Sequence, residues 1–196
     1  MHHLCGMKRT FVALDVPAAT RAALCEVQAA LRCLREPEAR IRFTVPEQLH
    51  LTLKFLGGTG DAQVAPLLDA LEAVAAGMGP LDAQLGGLGA FPSPTRPRAL
   101  FAAIAHGAER VVALMEAVET ACVGLSFAPE PRPRVPHVTL ARLSDVVPRG
   151  RTCRWLAEAP RRPYGTVDGG ALSLYESILR PGGSLYVPLG RFPLPG

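Results

Sequence analysis

The alternation of apolar and polar positions along the first sixty residues predicts a strand, an amphipathic helix and two further strands. The segment TFVALDV, residues 10–16, is rich in β-formers and ends at Pro17. Apolar residues then recur at helical spacing as far as Glu36 and Pro37: Leu24, Val27, Leu31 and Leu34. Strands are predicted for Ile41–Val45 and for His50–Leu56, the second closed by two glycines.

The rest of the chain continues this mixture of helices and strands. A helix starting at Asp61 has a buried stripe formed by Val64, Leu67, Leu68, Leu71, Val74 and Ala75, and a strand follows over Leu81–Phe91. After a proline-rich crossing, Arg98–Ile104 is predicted as a strand and a helix ends at Gly124, with the apolar positions Val111, Leu114, Met115, Val118 and Cys122. The last strands, Leu172–Leu179 and Ser184–Leu189, flank a turn at 181–183.

Two halves of the chain share one order of elements. The segment from Thr10 to His50 and the segment from Arg98 to His137 each contain a strand, a helix and a connection into H-x-T-L. Shifting the first half by the 87 residues between the two histidines places its later helix and strand on further candidates, which start at Arg151 and Asp168. We therefore predict an α+β fold: a bilobal, duplicated structure with two antiparallel sheets, helices on the outer faces and a central cleft carrying both H-x-T-L strands.

The composition indicates what class of protein this is, but it says little about which reaction the protein could catalyse. The 196 residues are enough to bury a core without disulfides or metals, and 21 basic against 17 acidic residues, a net charge of +4, mildly favour phosphate-bearing partners. The five cysteines are odd in number and form no C-x-x-C pair, and no apolar run has the length of a membrane span. We expect a cytoplasmic protein with no membrane segment.

The start of the chain carries a second methionine, Met7. Residues 1–6 are therefore expected to be a disordered leader, to which we assign no role. Residues 7–196 are predicted to form a single bilobal domain, which we expect to be a monomer.

The two H-x-T-L strands are the best candidates for chemistry. Alternation places His50 and Thr52 on one strand face, and His137 and Thr139 on the matching face of the other strand. Two imidazoles can together remove a proton from an attacking oxygen and give one to a leaving oxygen at phosphorus, while hydroxyls stabilise the phosphate charge. A single such motif is ordinary in a strand, but two at equivalent positions predict a shared active cleft. We expect neither metal nor cofactor.

Five segments together resemble the 2H phosphoesterase superfamily, and within it the RNA 2′,3′-cyclic phosphodiesterase family, also called 2′-5′ RNA ligases. They are RTFVALDVP, HLTLKFLG, LGGLGAFPSPTRPRALF, PHVTLARL and YESILRPGGSLYVPLGRFPL. The resemblance covers nearly the whole chain from Met7. It implies metal-independent hydrolysis of an RNA 2′,3′-cyclic phosphate to a 2′-phosphate and, in some members, reversible 2′-5′ joining of RNA.

The resemblance also implies roles for individual residues. His137 takes the part of the base and His50 that of the acid, although the symmetry of the sequence permits the reverse, and Thr52 and Thr139 contact the phosphate. Arg142 matches a family arginine that approaches the phosphate, but it lies an odd number of residues from His137 and needs a bend to reach the cleft.

Two further residues are candidates for substrate binding. Lys54 shares the face of His50 by alternation and is a candidate phosphate contact, with an exposed surface position as the alternative. Phe43 is a candidate for stacking an RNA base, with a place in the core as the alternative.

Three other functions remain open at this stage. The same cleft suits a phosphodiesterase for small cyclic nucleotides, or a noncatalytic module that binds RNA ends. A metal enzyme with the two histidines as ligands is the weakest alternative, because no Asp, Glu or Cys stands at ligand spacing beside either of them.

Overall fold

The computed structural model describes residues 6–34, 40–144, 150–159, 162–167, 170–181 and 183–195. Over these ranges the helices are α1 (Ala18–Arg32), α2 (Asp61–Gly77), α3 (Ala108–Gly124) and α4 (Gly150–Glu158). The strands are β1 (Lys8–Asp15), β2 (Arg40–Phe43), β3 (His50–Thr59), β4 (Gln84–Phe91), β5 (Ala99–His106), β6 (His137–Ser144), β7 (Pro163–Thr166), β8 (Ala171–Arg180) and β9 (Gly183–Pro193). The expected leader lies outside these ranges except for Gly6.

All nine described strands belong to one antiparallel sheet, in the order β7-β4-β5-β6-β3-β1-β8-β9, with β2 paired to β6 beside β3. The order is symmetric about the contact of β3 with β6, so β1 corresponds to β5 and β8 corresponds to β4. The sequence predicted two sheets, one for each half. The pair Leu51–Val138, where β3 meets β6, joins the halves into one continuous sheet.

The helices form where the apolar periodicity predicted them. In α3 all the predicted positions are buried: Val111, Leu114, Met115, Val118 and Cys122. In α2 the stripe is narrower than predicted, with Leu67, Leu71 and Ala75 fully buried. None of the helices in the described ranges has the length and apolar character to cross a membrane.

Strand β3 runs further than the sequence predicted. The two glycines expected to close it lie inside the strand, and Gly57 adopts a positive φ of 74°, which glycine tolerates without strain. The register slips between β1 and β3 at this point, because Phe11 pairs with Phe55 while Thr10 pairs with Gly57. The glycine therefore allows the strand to continue through an irregularity.

The main core lies between the helices and one face of the sheet. Leu51 and Val138 are fully buried there with residues of α1, α2 and α3. Burial of this face leaves His50, Thr52, His137 and Thr139 on the opposite face by strand alternation. The fold thereby positions both H-x-T motifs at the centre of the free face of the sheet.

Candidate active site

The four H-x-T side chains form a compact group around the junction of the two halves. Leu51 pairs with Val138, and the antiparallel register places His50 opposite Thr139 and Thr52 opposite His137. Diagonal neighbours in such a pair are about 7–8 Å apart at the backbone. The two imidazoles thus stand diagonally across the junction, with a threonine hydroxyl on the same strand as each one.

Both imidazoles are oriented by the same backbone contact. The Nδ1 of His50 lies 2.7 Å from the carbonyl oxygen of Gln48, and the Nδ1 of His137 lies 2.7 Å from that of Val135. A carbonyl oxygen only accepts hydrogen bonds, so each Nδ1 carries the hydrogen. In the neutral form of each ring, Nε2 is therefore the nitrogen without a hydrogen, and that of His50 lies 3.1 Å from the hydroxyl of Thr52.

Burial lowers the pKa of both histidines below the ordinary value. For His50, burial is the largest influence, followed by the Gln48 carbonyl and the Asp15 carboxylate, which raise the pKa, and by His137 and Arg142, which lower it. For His137, burial again comes first, the Val135 carbonyl raises the pKa and Arg142 lowers it. Both rings consequently favour the neutral form, and a bound phosphate anion stabilises the protonated form of either.

A cleft of about 930 Å³ opens beside these residues. His50, Thr52 and Thr139 line it directly. His137 is not among the described lining residues and packs against the rings of Phe91 and Phe101, whose centroids each lie 5.0 Å from its own. Four exposed arginines also line the cleft: Arg9, Arg42, Arg142 and Arg180. The described lining contains no Asp or Glu, which makes the cleft suitable for a phosphate-bearing ligand.

A β-bulge brings Arg142 into the cleft. Leu100 pairs with Ala141 but Phe101 pairs with Thr139, so Leu140 is an extra residue on β6. Leu140 and Ala141 both face the core, at 1% and 0% exposure, and Arg142 then points outward on the side of Thr139. The bulge supplies the bend that alternation alone did not predict.

The same irregularity occurs at the equivalent point of the first half. Val12 pairs with Lys54 but Ala13 pairs with Thr52, so Leu53 is the extra residue on β3. The residue that emerges five positions after His50 is Phe55, which lines the cleft and is 53% exposed. Phe55 was missed by the sequence analysis, although its matching position to Arg142 was visible in the repeat.

Lys54 does not face the cleft, which corrects the prediction that it contacts phosphate there. The bulge at Leu53 turns it to the core side, where its Nζ lies 2.9 Å from Oε2 of Glu119 and 2.8 Å from the carbonyl oxygen of Ala128. The side chain is only 1% exposed. Lys54 is therefore part of a buried ion pair between β3 and α3.

Phe43 lines the cleft and also packs against its neighbours in the fold. It pairs with the buried Ala141, contacts the smaller core cluster and lies under the guanidinium of Arg32, 4.0 Å from the ring centroid. Base stacking by Phe43 therefore stays a prediction, because the residue lines the cleft while Arg32 covers one face of its ring. Its neighbour Arg42 also lines the cleft.

Arg42 is a second cleft residue that the sequence analysis missed. It stands directly opposite Arg142 in the pairing of β2 with β6, and both are exposed. Neither has an ion pair to any residue in the described ranges. Like charges facing each other across strands are unfavourable, so this pair is best stabilised by an anion between them.

Asp15 distinguishes the surroundings of the two histidines. It pairs with His50 across β1 and β3, and its carboxylate accepts hydrogen bonds from Ser173, Tyr175 and Arg191 at 3.0, 2.8 and 3.0 Å. At the equivalent position of the second half, Ala103 pairs with His137. One imidazole therefore has a carboxylate neighbour on its pairing strand and the other has a methyl group.

The sequence of this chain matches those of curated relatives over nearly its full length. A Thermus thermophilus protein named RNA 2′,3′-cyclic phosphodiesterase is 34% identical over 192 residues, which cover 96% of this chain and 91% of the relative. A Methanothermobacter thermautotrophicus protein of the same name is 27% identical over 186 residues, 95% of this chain and 98% of the relative.

Solved structures and a family model agree with these relatives. A crystal structure of a Thermus thermophilus protein matches with a TM-score of 0.76 at 31% identity, over 95% of this chain and 97% of that one. Escherichia coli LigT complexed with 3′-AMP has the same fold, with a TM-score of 0.73 at 23% identity over 96% and 99% of the two chains. The model of LigT-like phosphoesterases matches residues 14–101 and 104–186. Together with the paired H-x-T-L strands, these matches establish that the chain belongs to the LigT-like phosphoesterase family of 2H phosphoesterases, as the sequence predicted.

Proposed function

We propose that this protein hydrolyses the 2′,3′-cyclic phosphate at an RNA end to a 2′-phosphate, without a metal ion. The observation that carries the proposal is the diagonal pair of histidines, each with its Nδ1–H held by a backbone carbonyl and its Nε2 available for proton transfer. The relatives named RNA 2′,3′-cyclic phosphodiesterase support the substrate. The arginine-lined cleft beside the histidines supports binding of a phosphate-bearing ligand.

The proposed reaction is one in-line displacement with two proton transfers. Nε2 of His137 takes a proton from water as the water oxygen bonds to phosphorus. The bond from phosphorus to the 3′ oxygen breaks, and Nε2–H of His50 gives its proton to that oxygen, so the phosphate stays on the 2′ oxygen. Thr52 and Thr139 hydrogen-bond the non-bridging oxygens, and Arg142 balances their charge.

The environment of each ring supports this division of roles. The Asp15 carboxylate raises the pKa of His50 against the larger effect of burial, which favours the protonated form that an acid needs. No carboxylate is among the influences on His137, while Arg142 lowers its pKa and so favours the neutral form that a base needs. The carboxylate neighbour of His50 is the feature that distinguishes the two rings, because Arg142 lowers the pKa of both.

The first experiment measures turnover of a short RNA ending in a 2′,3′-cyclic phosphate, with chelator present. His50→Ala and His137→Ala are each expected to lower kcat by about 10²- to 10⁴-fold, because each removes one acid or base. His106→Ala is the matched control, since this exposed histidine ends β5, where it pairs with Gln84 rather than with either H-x-T strand. Full activity in either cleft variant, loss of activity on chelation or a 3′-phosphate product would contradict the proposal.

A second experiment separates the acid from the base. A substrate with sulfur in place of the 3′ oxygen has a leaving group that needs little protonation. His50→Ala should therefore recover most of its lost activity on this substrate, whereas His137→Ala should not. Recovery in His137→Ala alone would reverse the two roles.

Ligation is part of the same proposal. A free 5′-hydroxyl of a second RNA takes the place of water: His137 removes its proton as its oxygen bonds to phosphorus, and His50 protonates the departing 3′ oxygen, so the phosphate joins the two RNAs through a 2′-5′ linkage. Cleavage of that linkage is the reverse reaction, with His50 as the base and His137 as the acid. Incubating two RNA fragments, one with a cyclic phosphate and one with a free 5′-hydroxyl, tests ligation; a product lacking 2′-5′ linkages, or none at all, limits the enzyme to hydrolysis. We also propose that it works as a cytoplasmic monomer, in keeping with the free thiols of the four described cysteines.

A further inference from the structure

The exposed aromatic ring of Phe55 lies in the cleft on the same strand as His50. Phe55 is 53% exposed and its ring centroid lies 6.1 Å from that of Phe11. Phe11 is 3% exposed and its centroid lies 5.1 Å from that of His50. Phe11 therefore stands between the imidazole and Phe55. The ring of Tyr186 meets that of His50 edge-on, with 5.5 Å between the centroids.

Arg9 stands beside this ring. It lies two residues before Phe11 on β1 and pairs with Gly58, just beyond Phe55 on β3. It is exposed, lines the cleft and forms no ion pair with any residue in the described ranges. An aromatic face and an unneutralised guanidinium are thus adjacent on the same wall.

Apolar side chains extend the wall around Phe55. Leu179 and Leu185, on the β8–β9 hairpin, line the cleft at 68% and 37% exposure. Proteins that bind single-stranded nucleic acid combine such aromatic and apolar platforms with a positively charged track. With no carboxylate in the described lining of the cleft, the charge complements an RNA backbone better than an average protein surface.

We propose that Phe55 and Arg9 form a second nucleotide site, the upstream subsite, for the residue that precedes the cyclic phosphate end. Its base stacks on the Phe55 ring, and Arg9 binds the phosphate that links it to the terminal nucleotide. The inference rests on the proposed function for the identity of the cleaved end. It makes the preferred substrate an oligonucleotide of at least two nucleotides, and small cyclic mononucleotides poorer substrates.

The test compares kcat/KM for the dinucleotide ApA with a 2′,3′-cyclic phosphate and for 2′,3′-cyclic AMP. Base stacking on an aromatic side chain predicts a dinucleotide preference of roughly 5- to 150-fold in the wild type. Phe55→Ala should lower that ratio towards one, and Phe55→Tyr, which keeps the aromatic face, should preserve it. Val123→Ala, at a 44% exposed apolar position on α3, is the matched control and should leave the ratio unchanged.

A binding measurement makes the result independent of catalysis. ApA with a terminal 2′-phosphate should bind more tightly than 2′-AMP. The slope of log Kd against log salt concentration for ApA should become shallower by about 0.7 in Arg9→Gln, which is the contribution of one phosphate contact in a single strand. If neither cyclic substrate turns over but this preference depends on Phe55, the upstream subsite stands and the proposed reaction fails. Turnover with equal ratios in wild type and Phe55→Ala overturns the subsite alone. The subsite is also overturned if the protein forms a dimer that depends on Phe55 while the two kcat/KM ratios are equal, since a second copy of the chain would then cover the ring.

Discussion

The buried ion pair of Lys54 and Glu119 offers the sharpest test of the packing behind the active site. The two side chains are 1% and 13% exposed, and the Nζ of Lys54 lies 2.9 Å from Oε2 of Glu119. Nζ also donates to the carbonyl oxygen of Ala128 at 2.8 Å, while Oε1 of Glu119 accepts the Glu130 N–H at 2.9 Å. The ion pair thus holds the segment around Ala128 and Glu130, which leads towards His137, against β3 and α3.

Lys54→Met keeps the length of the stem and removes the charge. Glu119 is then a nearly buried carboxylate without its cation, and the Ala128 carbonyl loses a donor. Removing one partner of a buried pair costs about 3–5 kcal/mol. For a chain of this size, where each kcal/mol shifts Tm by about 2–4 °C, we expect Tm to fall by roughly 6–20 °C.

The loss of stability in Lys54→Met depends on pH, because Glu119 is a titratable group. Burial raises the pKa of this carboxyl, but the hydrogen bonds from Lys54 and Glu130 and the Lys54 charge outweigh it and hold the pKa below 4.5. A depressed folded pKa contributes stability that is present above the unfolded value and lost as the pH falls through the folded one. In Lys54→Met burial acts unopposed by the ammonium, so Glu119 takes up a proton at higher pH. The difference in stability should be largest near pH 7 and shrink at about pH 4.

Urea unfolding followed by circular dichroism at both pH values measures these differences. The double variant Lys54→Met/Glu119→Leu removes both charges and should be more stable than Lys54→Met alone, since it leaves no buried unpaired carboxylate. A loss below about 1 kcal/mol in Lys54→Met, the range of exposed ion pairs, would refute the reasoning. So would a loss that is independent of pH.

Three further outcomes follow from single contacts. The guanidinium of Arg142 lowers the pKa of His137, so Arg142→Gln should move the acid limb of the kcat/KM profile to higher pH, while Arg142→Lys should not. Gln28→Leu should lower the free energy of unfolding by about 1–3 kcal/mol, because the amide donates to two backbone carbonyls at 2.7 and 2.8 Å, one of them that of the bulged residue on β6. Cys122 is buried, which raises its pKa to about 11, so mass spectrometry should find the exposed Cys33 alkylated before Cys122 in the native protein.

The elements of the fold were largely predictable because burial imposes a period on the sequence. In α3 the five predicted apolar positions are the five that the structure buries. The duplication was visible because both halves must present the same pair of side chains, an imidazole and a hydroxyl, on one strand face. Joining of the halves into one sheet was not visible, because the Leu51–Val138 contact pairs strands that are distant in sequence.

The orientation of side chains after each motif could not be predicted, because the strands are bulged. Strict alternation put Lys54 in the cleft and Arg142 outside it, and the extra residues Leu53 and Leu140 reverse both placements. Neither bulge carries a glycine or a proline that would mark it in the sequence. Two irregularities at matching positions are a property of the tertiary pairing rather than of local propensity.

The candidate active site combines symmetric strands with asymmetric surroundings of its two histidines. Equivalent bulges deliver Phe55 on one side and Arg142 on the other, and equivalent strand pairs place Asp15 beside His50 but Ala103 beside His137. A displacement at phosphorus needs this difference, because the attacking oxygen must lose a proton while the leaving oxygen gains one. The duplicated strands can thus fix the spacing of two identical rings, while the residues around each ring differ as the two proton transfers of the proposed reaction require.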